Sequence, residues 1–143
     1  MVAAYEALPK REKAALEDVR VVHSWELSRL RAGTKATPEE IADAPPLTHP
    51  LVRTIPEPGR KALSMGEHAA HFEGQPEQVG RARLEQLQAH AVEEPFVYRH
   101  KWRAGDLLMW DNRCLLHRAN TNFDAARFPR VLQRTCLRGT APA

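Results

Sequence analysis

The hydrophobic pattern of the chain changes its period near Leu51, and this change limits the folds that the chain can adopt. Upstream, Ala15, Val19 and Val22 recur at helical spacing, and Pro9 divides "AAYEALPKREKAALEDVRVVHSW" into a helix, a break and a second helix. The later segment "TPEEIADA" carries a threonine, a proline and a glutamate in the order of a helix capping box. The first third is therefore predicted to be helical.

Beyond Leu51, short β-type runs replace the helical pattern. "LVRTI" and "KALSM" flank the turn-forming "PEPGR", which predicts a hairpin, and a helix is expected over residues 76–92 with Leu84, Leu87 and Ala91 on one face. Four further strand candidates follow: "FVYRHKW", "DLLMW", "CLLHRA" and "VLQRTCLRG". "GEHAAHFEGQP" is expected to be a solvated loop. The order predicts an α+β fold whose sheet resembles part of a sandwich or barrel.

Composition indicates the class of protein and argues against several functions. A chain of 143 residues with 43% hydrophobic and 27% charged residues is typical of one globular domain, and it has no apolar run long enough for a membrane span. A net charge of +3, without a polybasic tract, does not indicate nucleic-acid binding. Two cysteines without paired zinc spacing and no apolar leader indicate a reducing cytoplasm.

The strand candidate "RVLQRTCLRG" places two arginines on one face. Because alternate side chains of a strand share a face, Arg130 and Arg134 would point the same way, ~13 Å apart. If that face lines a barrel, the guanidiniums need anionic partners such as a carboxylate or sulfonate. The alternative is a sheet edge with both arginines in water.

His117, at the end of "CLLH", has two interpretations. A lone histidine after an apolar run is commonly a hydrogen-bonded core or rim residue, whereas a facial-triad iron site would need two histidines and a carboxylate. "HFE" is the only H-x-D/E triplet, so His71 and Glu73 are the internal candidates for such a site with His117. "WDNR", residues 110–113, is predicted to be a tight turn.

Three segments together resemble a known family. They are "HPLVRTIPEPGRKAL", "FVYRHKWRAGDLLMWDNRCLLHRAN" and "RVLQRTCLRG", and in this order they resemble the C-terminal half of the TauD/TfdA family of Fe(II)/2-oxoglutarate-dependent dioxygenases. The resemblance implies a partial double-stranded β-helix, or jelly roll, with flanking helices. It also implies an oxidoreductase that uses Fe(II), 2-oxoglutarate and dioxygen to hydroxylate a small organic anion, with release of succinate and CO2.

The resemblance also implies roles for three residues. His117 matches the family's distal iron ligand, Arg130 matches the arginine that pairs with the distal carboxylate of 2-oxoglutarate, and Arg134 matches the arginine beside the substrate's anionic group. Family substrates are sulfonates, sulfate esters and aryloxyacetates. No catalytic residue beyond the metal site is implied.

The sequence departs from the family in one large respect. The family's H-x-D pair of iron ligands and a cofactor-contacting threonine lie upstream of the segment that matches "AAYEALP", and they have no counterpart here. The expectation is a single domain over residues 1–143, truncated at its N-terminus and inactive alone, as a homo-oligomer or with a chain that supplies the missing strands. The alternative is a non-catalytic remnant or anion-binding module that keeps both arginines but no iron site.

Overall fold

A computed structural model describes residues 1–120, 122–124, 126–128 and 131–137 of the protein. Its helices and strands all lie in the first two thirds of the chain. The helices are α1 (Val2–Ala7), α2 (Lys10–Leu16), α3 (Trp25–Arg31), α4 (Pro38–Asp43) and α5 (Glu77–Ala91), with a 3-10 turn at Glu94–Phe96. The strands are β1 (Arg20–His23), β2 (Leu47–Pro50), β3 (Val52–Ile55), β4 (Arg60–Leu63) and β5 (Ala69–Phe72).

The strands form two antiparallel sheets. In the first, β1 is central, with Val21 opposite His49 of β2 and Phe72 of β5. The second is the hairpin of β3 and β4, in which Val52 faces Leu63. Helices combined with antiparallel strands confirm the α+β class, and the described residues form no closed barrel.

The core lies between these sheets and two helices. Helix α5 packs on β5 and α1 packs on β4, and the apolar side chains between them are buried. Leu84, Leu87 and Ala91 of α5 all face this core, which confirms the predicted helix and its buried face. Across the described residues no helix is long and apolar enough to cross a membrane, and α5, at 15 residues, is the longest.

Local signals predicted several elements correctly. Pro9 separates α1 from α2, and the β3–β4 hairpin has the predicted turn between its strands. The capping box of α4 is complete: the amide of Glu40 donates to Oγ1 of Thr37, and Oε2 of Glu40 accepts from the amide of Thr37. These features depend on neighbouring residues only, which is why a sequence pattern can identify them.

Three strands were not predicted: β1, β5 and β2 (Leu47–Pro50), for which no element was expected. Residues 20–23 were expected to continue a helix, but α2 ends at Leu16 and the β-branched pair Val21 and Val22 lies in β1 between two partner strands. The "GEHAAHFEGQP" segment was expected to be a loop, but its Ala69–Phe72 stretch is β5. Both predictions were wrong because ladder partners distant in sequence decide the conformation of a short apolar run.

The four strands predicted in the last third are absent from the described residues. From Val97 to Leu137 the described residues form turns and irregular backbone, and several large apolar side chains are exposed, among them Leu107 (90%) and Met109 (86%). A strand gains stability from an adjacent strand and from one buried face. The β-type composition of these runs is not matched by a ladder partner within the part of the chain that the structure describes.

Candidate functional site

His117 lies in an irregular segment and its side chain is exposed. Its ring packs at a tilt against the indole of Trp110, with 5.2 Å between the ring centroids. His117 is therefore not a core histidine, since the apolar run before it is not a buried strand here, whereas the rim alternative is compatible with its exposure. An exposed imidazole is free to take a ligand, which suits the role that the family resemblance implies.

The turn that precedes His117 is held by a charged network. Cys114 closes it through its amide to the carbonyl of Asp111, which confirms the tight turn predicted for "WDNR". The Arg113 guanidinium donates to both carboxylate oxygens of Asp111 and, through its two terminal nitrogens, to both carboxylate oxygens of Glu57 at 3.0 and 3.1 Å. Glu57 belongs to the turn between β3 and β4, so Arg113 connects the His117 segment to the hairpin.

The charges in this network affect one another. Hydrogen bonds from Arg113 hold the pKa of Asp111 and the pKa of Glu57 below their usual ranges, and the two carboxylates raise the pKa of Arg113. Next to this turn, Nε1 of Trp110 donates to Oδ1 of Asn112 at 2.8 Å. The indole that contacts His117 is thus itself fixed by the turn.

The structure does not test the paired-arginine face. Arg130 lies outside the described residues, and Arg134 is exposed in a stretch, residues 131–137, that is not a strand. In the strand predicted for "VLQRTCLRG", residues 131–137 are described and form no strand, and residues 138 and 139 lie outside the described part of the chain. Arg134 is exposed, as in the sheet-edge alternative, but the described residues 131–137 belong to no sheet.

The internal candidates for an iron site are not assembled. His71 lies in β5 with its Nδ1 atom buried and unpartnered among the described residues, and Glu73 pairs with Arg20 at 3.2 Å. The described residues contain no group of three histidine, cysteine, aspartate or glutamate side chains that could hold a metal ion. They therefore do not fit a complete iron site, and the hypothesis of a self-sufficient His71, Glu73 and His117 centre is wrong for the structure described.

A cluster of imidazoles beside β1 and β2 was not predicted. His23 and His49 are 5.4 Å apart between ring centroids, and His68 stacks on Trp25 at 5.6 Å. Their rings line an open cavity of about 390 Å³ that Leu47 and the end of α4 complete. Burial, with the neighbouring histidines adding to it, lowers the pKa of His23 to about 4, so this ring is neutral near pH 7. These histidines come from three separate segments, and no local pattern relates them.

Comparison with known proteins identifies the relatives of the chain. It is 47% identical over 128 residues to the α-ketoglutarate-dependent 2,4-dichlorophenoxyacetate dioxygenase of Cupriavidus pinatubonensis, an alignment that covers 89% of this chain and 45% of that enzyme. A crystal structure named as an α-ketoglutarate-dependent 2,4-D dioxygenase from Burkholderia xenovorans superposes with a TM-score of 0.77 at 42% identity. This superposition covers 80% of this chain and 45% of that one.

A second solved structure, AAD-2 in complex with Mn(II) and N-oxalylglycine, superposes with a TM-score of 0.75 at 43% identity and again covers 80% of this chain and 45% of that one. The chain thus spans about 45% of the length of these relatives. Residues 1–136 match the model of the family described as taurine catabolism dioxygenase TauD, TfdA family. With nearly its whole length matched, the chain belongs to the TauD/TfdA dioxygenase family.

Proposed function

We propose that this chain forms part of an Fe(II)/2-oxoglutarate-dependent dioxygenase that hydroxylates a small organic anion and releases succinate and CO2. The family match over residues 1–136 carries the proposal, because it includes His117, Arg130 and Arg134. A relative at 47% identity is named as a 2,4-dichlorophenoxyacetate dioxygenase, which favours an aryloxyacetate as the substrate. A neighbour at 43% identity binds Mn(II) and N-oxalylglycine, an analogue of 2-oxoglutarate.

The proposed roles follow from the chemistry of each side chain. His117 offers an exposed imidazole as one iron ligand, and Arg130 and Arg134 offer planar guanidiniums that match carboxylates bidentately. The iron and 2-oxoglutarate supply the oxidation chemistry, and the protein supplies position and charge. We further propose a single cytoplasmic domain of partial jelly-roll type. Cys114 and Cys136 are free cysteines, which agrees with a reducing compartment.

The proposed activity needs more than the described residues provide. One exposed histidine does not hold an iron ion in a facial-triad site, which takes two histidines and a carboxylate. We propose that the other ligands come from the portion of the relatives that this chain does not span. Purified alone with Fe(II), ascorbate and 2-oxoglutarate, the 143-residue chain should then form no succinate above a control without protein.

A chimera tests the proposal. The 143 residues replace the matching segment of the Cupriavidus pinatubonensis enzyme, and succinate is measured with 2,4-dichlorophenoxyacetate, with the parent enzyme as reference. We expect turnover that His117→Ala abolishes. Arg130→Ala should weaken 2-oxoglutarate binding by about 2–5 kcal/mol, because the arginine would hold a desolvated carboxylate. Arg103→Ala, at an exposed arginine elsewhere in the segment, is the control and should leave both the turnover and the affinity for 2-oxoglutarate unchanged.

The same chimera examines the alternative of a non-catalytic remnant or anion-binding module. A chimera that folds, as judged by circular dichroism, but forms no succinate contradicts the enzymatic proposal. If it still binds 2-oxoglutarate in a way that depends on Arg130, the anion-binding alternative is favoured. If His117→Ala does not reduce turnover, the proposed role of His117 is contradicted. The proposed role of Arg130 is then still decided by the binding measurement.

A further inference from the structure

The segment that carries His117 has no strand ladder to fix it, yet it lies at a defined place on the folded part of the chain. The described residues 97–120 pair with no strand, and the side chain of Leu116 rests against Gly66, with 3.3 Å between its Cδ2 atom and the position that a Cβ on Gly66 would take. Arg113 joins this segment to the β3–β4 hairpin, because its guanidinium donates to both carboxylate oxygens of Glu57 as well as to Asp111 of its own turn.

We propose that Arg113 is the positioning residue for His117: through Glu57 it fixes the 110–114 turn on the hairpin, and through that turn it sets the Trp110 indole against which the His117 imidazole packs. This inference rests on the proposed function, because the position of His117 matters for catalysis only if His117 is an iron ligand. It needs no metal ion, because each contact lies within the described chain.

The geometry supports each link of this path. Arg113 satisfies two carboxylates at once, at 2.8 to 3.1 Å, and bidentate Arg–carboxylate pairs combine strength with a fixed orientation. The amide of Arg113 also donates to Oδ1 of Asp111 at 2.8 Å, which fixes the backbone of the turn. An isolated surface ion pair contributes little, but a network with bidentate geometry is the case in which orientation is fixed.

The chain offers a matched control for this network. Arg99, in the same irregular part of the chain, forms a bidentate ion pair with Glu94 of the preceding 3-10 turn, at 2.7 Å for both hydrogen bonds. This pair spans five residues within one segment, whereas Glu57 and Arg113 are 56 residues apart. Removing it takes away the same chemistry without disconnecting the His117 turn from the hairpin.

Proton NMR of the full 143-residue chain, without metal, tests the proposal. His117→Gln identifies the His117 ring signals by their loss, and Trp110→Leu shows how far the indole ring current displaces them. We expect Arg113→Gln and Glu57→Gln to move the His117 signals toward their position in Trp110→Leu, and to weaken the cross-peaks between the His117 and Trp110 rings. Arg99→Gln should leave the shifts and cross-peaks as they are in the wild type. Arg113→Lys keeps the positive charge but cannot form two parallel hydrogen bonds to a carboxylate. We therefore expect it to displace the His117 signals less than Arg113→Gln does, but not to leave them at their wild-type positions.

Two outcomes would overturn the proposal. One is a melting temperature that falls in Arg113→Gln while the His117 signals and the cross-peaks stay in place, which would make Arg113 a merely stabilising residue. The other is an equal displacement in Arg99→Gln. Should Arg113→Gln fail to fold, Glu57→Gln decides alone, since it leaves the Asp111 half of the fork intact. Because no turnover is measured, the proposal can fail while the dioxygenase function stands, and the reverse also holds.

Discussion

Gly80 of α5 lies directly against Phe72 of β5: a Cβ atom at Gly80 would be 2.5 Å from the backbone nitrogen of Phe72. In an exposed helix interior, glycine costs roughly 0.5–1 kcal/mol relative to alanine, so Gly80→Ala would ordinarily stabilise the protein. Here we expect destabilisation by about 1–3 kcal/mol, because the clash is with backbone and α5 must move away from the sheet. Urea unfolding followed by circular dichroism measures the change.

Ala82→Gly is the control for that substitution. Ala82 is exposed on the same helix, so the glycine should cost about 0.5–1 kcal/mol through backbone freedom alone. The two opposite exchanges, alanine for glycine at position 80 and glycine for alanine at position 82, should therefore both destabilise. A Gly80→Ala protein that is more stable than the wild type would contradict the close packing of α5 on β5.

Leu63 of β4 is the second site where packing gives a clear expectation. Its side chain is 1% exposed, and Leu63→Ala should lower the free energy of unfolding by about 2–5 kcal/mol, because the substitution removes buried methyl groups and leaves a cavity. Leu47→Ala in β2 is the matched control, since Leu47 is 58% exposed and should change stability by less than about 0.5 kcal/mol. Equal losses in the two variants would argue against the core described.

Several parts of the fold could be predicted because they depend on nearby residues. The proline break before Lys10, the capping box at Thr37, the hairpin turn near Gly59 and the apolar face of α5 each arise within a short stretch of chain. β1 could not be predicted in this way. It is fixed by β2 and β5, whose residues lie about 25 to 50 positions further along the chain, and pairing at that distance leaves no local pattern.

The candidate site illustrates the same limit. The motif around His117 predicted the family, and the family match confirms it, but the motif did not predict where the side chain would lie. The strand expected there is absent among the described residues, and a charged fork from Arg113 to Glu57 holds the turn instead. Nothing in the sequence relates residues 57 and 113, because their contact depends on the tertiary fold.

The capping box of α4 gives a local prediction. Because α4 has no buried residues, its stability depends strongly on the two hydrogen bonds between Thr37 and Glu40. Thr37→Ala should cost about 1 kcal/mol, seen as an approximately fivefold faster exchange of the Glu40 amide hydrogen. Thr37→Ser keeps a hydroxyl that can accept the same bond and should exchange at close to the wild-type rate. Unchanged exchange in Thr37→Ala would show that the cap does not stabilise α4.

His23 makes the stability of the protein depend on pH in a defined window. Its pKa falls from about 6.5 to about 4 on folding, so between these values the unfolded chain binds more protons and stability decreases as the pH is lowered. The full difference in the pKa of His23 corresponds to a change of ~3 kcal/mol in the free energy of unfolding. Because the ring keeps some contact with solvent, we expect a change of about 1–2 kcal/mol. Urea unfolding at pH 7, 5.5 and 4.5 should show the loss in the wild type and a smaller loss in His23→Gln. A His23→Gln protein that keeps the wild-type slope would contradict the role assigned to His23.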